Sequence, residues 1–142
     1  MELWELAARE SVRDLIARYN ANADAGRYDH VLPLFAPDAV MEIRTGVFRG
    51  RDEIRNIFTT SGSVAKRREQ FTHIRHFTST LQIDILGQTT ARSRCYYAVI
   101  MDHGIDHWGR YIDQFTCIDG NWLFSHRHVT MDGGPGSKPV MD

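Results

Sequence analysis

Long apolar runs are missing from this 142-residue chain, and so is an excess of either charge. No stretch approaches the roughly 18 consecutive apolar residues of a membrane span, and the charged opening MELWELAARESVRDLIARY lacks a signal-peptide core. Seventeen Lys and Arg against eighteen Asp and Glu leave a formal charge of −1, so nothing draws the whole chain toward nucleic acid or an anionic membrane. The one cationic run, Lys66-Arg67-Arg68, is short and followed by Glu69, and reads as a solvated loop. Cysteine is scarce. Cys95 and Cys117 fall in alternating, strand-like segments and read as buried reduced thiols, which with the absent export signal leads us to expect a cytoplasmic protein. Glycine and proline cluster only in GGPGSKPVMD, so residues 133–142 are expected to form a loose tail, or an arm on a neighbour, after one domain spanning 1–132.

What remains is ample material for a core: 42% hydrophobic and 11% aromatic residues, well outside the disordered range. Leu3, Leu6, Ala7, Val12, Leu15, Ile16, Tyr19 and Ala23 recur at helical spacing, and Gly26 is a left-handed stop. YDHVLPLF predicts a second short helix, residues 39–44 a strand, GVFRG a return strand, and RDEIRNIFTTS a third helix with Ile54, Ile57 and Phe58 inward. Long alternating segments follow at 71–86, 90–102 and 110–118, and Asp119-Gly120 signals a hairpin into 122–131. Helices first and a mostly antiparallel sheet afterwards indicate an α+β fold with helices on one sheet face. Cys95, Tyr97, Val99 and Met101 form the more apolar face of their strand and are assigned to the interior. Neither face of the strand carrying Tyr111, Asp113, Phe115 and Cys117 is plainly solvent-facing, which suggests an oligomer interface.

Two residues stand out chemically. Asp24 ends the first helix, and His76 lies within a predicted strand, so they meet only inside a packed domain. A carboxylate that fixes an imidazole tautomer makes a base. Each has a plainer reading: Asp24 as a turn residue bonding Gly26 or Arg27, His76 as an ordinary sheet histidine. The helix dipole disfavours a carboxylate at this end by ~0.3–1 kcal/mol, which argues that something else retains Asp24. Tyr19 lies on the apolar helix stripe and serves equally as core or as donor. No metal is expected. His73 and His76, three apart, face opposite sides of a strand; His103-Gly-Ile-Asp-His107 reads as a solvated turn. His126 and His128 share a face with Trp122 and Phe124, lining either the cavity or the outer surface, while Arg127 opposes them and pairs with Asp113 or reaches the pocket.

The segments ARESVRDLIARYNANADAGRYDHVLPLFAPDAVMEI, GVFRGRDEIRNIF, RHFTSTLQIDI and GRYIDQFTCIDGNWLFSHR, within a span from Leu6 to Met131, give the chain a resemblance to the nuclear transport factor 2-like superfamily and its SnoaL-like branch. That resemblance implies a cone-shaped α+β barrel, a curved sheet wrapped around N-terminal helices with a pocket at its open end. The branch holds scytalone and bile-acid dehydratases, hexachlorocyclohexane dehydrochlorinase, isomerases, polyketide cyclases and non-catalytic binding subunits, so fold alone does not fix the reaction. Asp24 and His76 fall where the eliminating enzymes carry their catalytic aspartate and histidine, and Tyr19 matches the bile-acid enzyme's tyrosine. Departures from the pattern are Ala23, Met101, Cys117 and, against the dehydrochlorinase's lysine, Tyr19 itself. The resemblance thus implies a cofactor-independent dehydratase-type lyase acting on a hydrophobic cyclic or polycyclic carbonyl compound. His76 is the base, Asp24 its partner and Tyr19 the donor, with Tyr97, Met101, Phe115, Phe71 and Arg127 as substrate-binding candidates. An isomerase or cyclase using the same proton abstraction is the alternative. So is a binding module in which Phe71, Tyr97 and Phe115 fill the cavity. The branch also implies a homo-oligomer, trimer or dimer.

Overall fold

The computed structural model describes residues 1–59 and 72–135; Lys66-Arg67-Arg68, Phe71 and residues 136–142 lie outside the described residues. Helix α1 (Leu3–Asp24) leads into α2 (Tyr28–Val31) and a single 3-10 turn (Leu32–Leu34). Strands β1 (Phe35–Ile43) and β2 (Gly46–Arg49) precede α3 (Gly50–Thr59), and β3 (Ile74–Ile85), β4 (Thr90–Met101), β5 (Gly104–Ile118) and β6 (Asn121–Val129) complete one sheet. Its order is β2-β1-β6-β5-β4-β3, with only the β1–β6 pair parallel. This is the α+β, mostly antiparallel architecture expected from the order of elements.

Helix α1 packs against β3 and β6 and is the shaft around which the sheet curves. Burial begins at Ala8 and continues through Val12, Leu15, Ile16, Tyr19 and Asp24; Leu3 and Leu6, counted in the apolar stripe, are exposed. The Arg9 guanidinium ties this first part of the helix to the carbonyl of Ile83 on β3. At the other end Gly26 adopts a positive φ of 75° and its N–H returns to Ala23, so the helix stops with Asp24 as its last residue. Asp119 and Gly120 both have positive φ, the geometry of a two-residue hairpin. Cys95 and Cys117 are free thiols, and burial pushes Cys95 up to about 11, which keeps it protonated and inert.

Two of the sheet's irregularities overturn inside–outside assignments read from the sequence. Between β5 and β6 the register shifts from Phe115↔Phe124 to Gln114↔His126, so Ser125 is an extra residue. Phe124 and Arg127, three apart, therefore both face the core, and His126 and His128 turn outward. The expectation that His126 and His128 share a face with Phe124 is corrected by this bulge. Between β4 and β5, Val99↔His107 is followed by Ile100↔Ile105, which leaves Asp106 as the extra residue. Strand β5 thus starts at Gly104, six residues before the predicted start. The solvated turn expected across His103–His107 is corrected: only Asp102 and His103 turn, and Asp106 and His107 are buried.

The face assignments for β4 hold, with Cys95, Tyr97, Val99 and Met101 inside. On β5 Tyr111, Asp113 and Phe115 are interior, while the outer face of β3–β5 exposes Phe77, Tyr96 and Trp108.

Candidate active site

The end of α1 and the start of β3 meet where the sequence placed its two chemical residues. Asp24 grips His76 twice. The His76 backbone N–H donates to Oδ2 at 2.9 Å, and its ring Nδ1 lies 2.6 Å from Oδ1. An ionised carboxylate only accepts, so Nδ1 carries the proton and Nε2 is left as the basic nitrogen. One bond fixes the backbone and the other the ring, so the imidazole is held against both translation and rotation. The Asp24 side chain is 9% exposed and that of His76 20% exposed, a pair shielded from bulk water without being sealed off. Entry into β3 is held as well: both Asp102 oxygens accept from the Thr72 backbone N–H and Oδ1 from that of His73, and these bonds hold the Asp102 carboxyl below its usual range.

Tyr97, one strand over from His76, has its ring centroid 6.1 Å from the imidazole. The Tyr97 ring also stacks on Tyr111 at 4.6 Å and 16° and meets His107 edge-on at 5.8 Å, and its hydroxyl donates to the Thr130 carbonyl at 2.5 Å. Gly109 makes this possible: a side chain there would meet the Thr130 carbonyl oxygen at 2.1 Å and the Tyr97 ring at 3.0 Å. Met101 belongs to the same small apolar cluster as Tyr97, Cys95, Val99 and Tyr111.

Tyr19, Phe115 and Arg127 occupy a different place. The structure puts all three in the packed core, away from solvent. Tyr19 makes edge contacts with Phe35, Phe58, Tyr111 and Phe124. The Arg127 guanidinium lies 3.8 Å from the Tyr111 ring centroid, 4.2 Å from Tyr19 and 4.5 Å from Phe124. Its Nε and Nη2 donate to the two oxygens of Asp113 at 2.9 and 3.0 Å. Of the two expectations for Arg127, the geometry is that of the ion pair. Burial pushes the Asp113 carboxyl up while Arg127 pulls it back. Burial likewise works against the guanidinium, yet Asp113 leaves it above its ordinary value. Two N–H donors aimed at two oxygens decide between these opposed tendencies, and both partners are charged.

Burial pushes the Tyr19 phenol up to about 12, with Arg127 opposing, and pushes Tyr111 well above its usual 10.0. A phenol whose folded value exceeds its unfolded one stabilises the fold in its neutral form. That contribution is whole below pH 10 and is lost toward pH 12, because the unfolded chain ionises where the fold resists. Urea midpoints are expected to hold up to about pH 10 and then fall steeply, and Tyr19→Phe is expected to remove part of the fall. A midpoint unchanged to pH 12 would contradict this burial.

The sequence reading missed the Asp106–His107 pair. His107 Nδ1 donates to Asp106 Oδ2 at 2.7 Å, and His103 Nε2 approaches Asp106 Oδ1 at 3.0 Å. The sequence carried no signal for it: Ile105 and Trp108, three apart, reveal the extra residue between them only through the exposure of both in the folded strand. On the outer face His126 Nε2 lies 2.8 Å from Glu42, whose carboxyl this contact holds below its ordinary value. Among the described residues, no group of three or more His, Cys, Asp or Glu side chains is disposed to hold a metal ion. A surface groove of about 630 Å3, lined by Asp14, Arg18, Arg51 and the Asp119-Gly120 turn, contains none of the dyad. Of its charges, Arg18 pairs with Asp14 and Arg51 donates to the Phe35 carbonyl.

A family model described as SnoaL-like domain matches residues 4–128. A scytalone dehydratase candidate from Novosphingobium aromaticivorans superposes with a TM-score of 0.80 at 19% identity, over 94% of this chain and 89% of that one. A hexachlorocyclohexane dehydrochlorinase from Novosphingobium barchaimii gives 0.79 at 16% identity, over 94% and 92%. A cystatin-like-fold protein of unknown function from Nostoc punctiforme gives 0.77 at 22% identity, over 94% and 95%. At these identities the likeness is one of fold. No curated protein matches the sequence significantly. No helix among the described residues is long and apolar enough to cross a membrane.

Proposed function

The chain belongs to the SnoaL-like domain family, and from that membership and the Asp24–His76 contact we propose a cofactor-independent lyase of the dehydratase type. Its substrate is a hydrophobic cyclic or polycyclic carbonyl compound with a hydroxyl beta to the carbonyl. The observation that carries the reading is the double grip of Asp24 on His76, which leaves Nε2 basic. His76 takes the alpha proton, and the C–H electron pair passes into the enolate. Asp24 stabilises the imidazolium, which then returns its proton to the departing hydroxyl as water. A positioned base supplies about 10²–10⁴-fold and a donor to the enolate oxygen a further ~10²–10³. Tyr19, on α1 before Asp24, is that donor in this reading, for a substrate that reaches past the dyad into the core where its ring lies. Its raised value keeps the phenol protonated throughout the working range. Isomerisation or cyclisation shares the first step and is the nearest alternative. The self-association expected from the sequence is assigned to the outer face bearing Phe77, Tyr96 and Trp108.

The test is to incubate the full chain with a beta-hydroxytetralone, whose dehydration gives a naphthol, and to follow exchange of the alpha protons in heavy water. Naphthol formation that is lost in His76→Gln is the expected result. Exchange without naphthol would favour an isomerase or cyclase, and neither would leave a binding module. Tyr19→Phe is expected to slow turnover about 10²-fold while leaving the melting temperature near wild type, since the ring packing persists. Unchanged turnover would return Tyr19 to a purely structural role.

A further inference from the structure

One side of helix α1 is turned away from the sheet, and it is not the uniformly polar side that a lone surface helix presents to water. At 100° per residue Ala8, Val12, Leu15, Ile16 and Tyr19 point inward, and all are buried. The opposite side carries Leu3, Leu6, Glu10, Arg13 and Ala17, and all are exposed, Leu3 at 80% and Leu6 at 56%. A single exposed leucine is ordinary. The spacing is not: steps of three and four alternate without a break, the pattern by which two helices meet along a seam.

The seam matches itself when a second copy runs antiparallel. About a two-fold axis midway between Glu10 and Arg13, Glu10 faces the second copy's Arg13 and Arg13 faces its Glu10. Leu6 then lies over the second copy's Ala17, a large residue opposite a small one, and Leu3 reaches toward its Ala21, also exposed. Every contact occurs twice, as an isologous interface requires. The parallel arrangement sets Glu10 on Glu10 and Arg13 on Arg13, so the charges choose the antiparallel one. Within one chain these two groups engage weakly: Arg13 Nε is 4.0 Å from Glu10 Oε2, and both side chains are more than half exposed. The contact between copies therefore displaces little. From Leu3 to Ala21 the seam runs roughly 27 Å, long enough to align two helices.

We propose that this side of α1 is an interface with a second copy of the chain, an antiparallel helix pair held in register by reciprocal Glu10–Arg13 contacts. It is separate from the outer sheet face of Phe77, Tyr96 and Trp108, and it does not rest on the chemistry assigned to His76. Two such two-fold faces on one chain close four copies into one assembly, in place of the dimer or trimer expected from the sequence.

Sedimentation equilibrium of the full chain tests it. Glu10→Arg and Arg13→Glu each place like charges at two contacts. Each is expected to weaken association about tenfold or more, so that the assembly falls to half its mass. An equimolar mixture of the two variants is expected to regain the wild-type mass, since every arginine then meets a glutamate of the other chain. Ala17→Arg, which leaves both charges in place, is expected to dissociate the pair with neither variant restoring it. Circular dichroism is expected to show wild-type helix content throughout, because every substituted side chain is exposed. A monomeric wild type, single variants of unchanged mass, or a mixture that stays dissociated would each overturn the interface. Tyr96→Ser alters only the sheet face, so a loss of mass there and not in the α1 variants would assign the self-association to that face alone.

Discussion

Asp24→Asn is expected to lower turnover roughly 10²- to 10⁴-fold with little change in melting temperature. Two bonds set this outcome. The asparagine carbonyl still accepts from the His76 backbone N–H, as Oδ2 does at 2.9 Å. Its amide, however, presents N–H to the ring nitrogen now held at 2.6 Å by Oδ1. An amide donor selects the tautomer with Nδ1 unprotonated, which puts the proton on Nε2 and removes the base. The number of hydrogen bonds is conserved, so the fold has little reason to suffer. The imidazolium also loses its counter-charge. Steady-state kinetics on the beta-hydroxytetralone, beside a thermal melt, measures both quantities. A variant that keeps its rate would remove Asp24 from the chemistry. One that unfolds would make the carboxylate chiefly structural.

The largest loss of stability is expected from Asp113→Ala. Asp113 and Arg127 are both at 0% side-chain exposure, and truncating the carboxylate leaves a guanidinium with nowhere to go. Breaking such a pair costs about 3–5 kcal/mol, which in a chain of this length lowers the melting temperature by roughly 10–20 °C. Three aromatic rings at 3.8–4.5 Å soften the loss without replacing the charge. The double variant Asp113→Leu/Arg127→Met removes both charges and is expected to recover most of the stability. If the single variant melts within a few degrees of wild type, the pair is not the anchor that its burial indicates.

How much of this was legible in the sequence depended on periodicity. The α1 helix, its stop at Gly26, the inward residues of α3 and the Asp119-Gly120 turn all follow from local rules that tertiary packing did not override. The meeting of Asp24 with His76 was legible only as a possibility, because two residues 52 apart are joined by the curvature of the sheet. Strand parity failed twice, and both failures have one cause: an inserted residue, Asp106 in β5 and Ser125 in β6, inverts the inside–outside rule for everything beyond it. This is why Phe124 was grouped with His126, and why Asp106 and His107 were read as a solvated turn. The resemblance offers Phe115 and Arg127 as pocket candidates, but a match of residue to position does not separate a lining side chain from a core one.

The extra residue in β6 also has a genetic consequence. Deleting Ser125 would restore strict alternation and leave Phe124 and Arg127, then two apart, on the same inner face. Inserting one residue beside it, by contrast, would push the Arg127 charge toward water and a histidine into the Asp113 site, without any of the three residues being altered. A one-codon gain there is therefore expected to be as severe as losing the ion pair outright, whereas at the exposed Asp119-Gly120 tip the chain has slack to absorb such a change. When relatives of this chain are compared, the phase of the last strand must be counted from that serine.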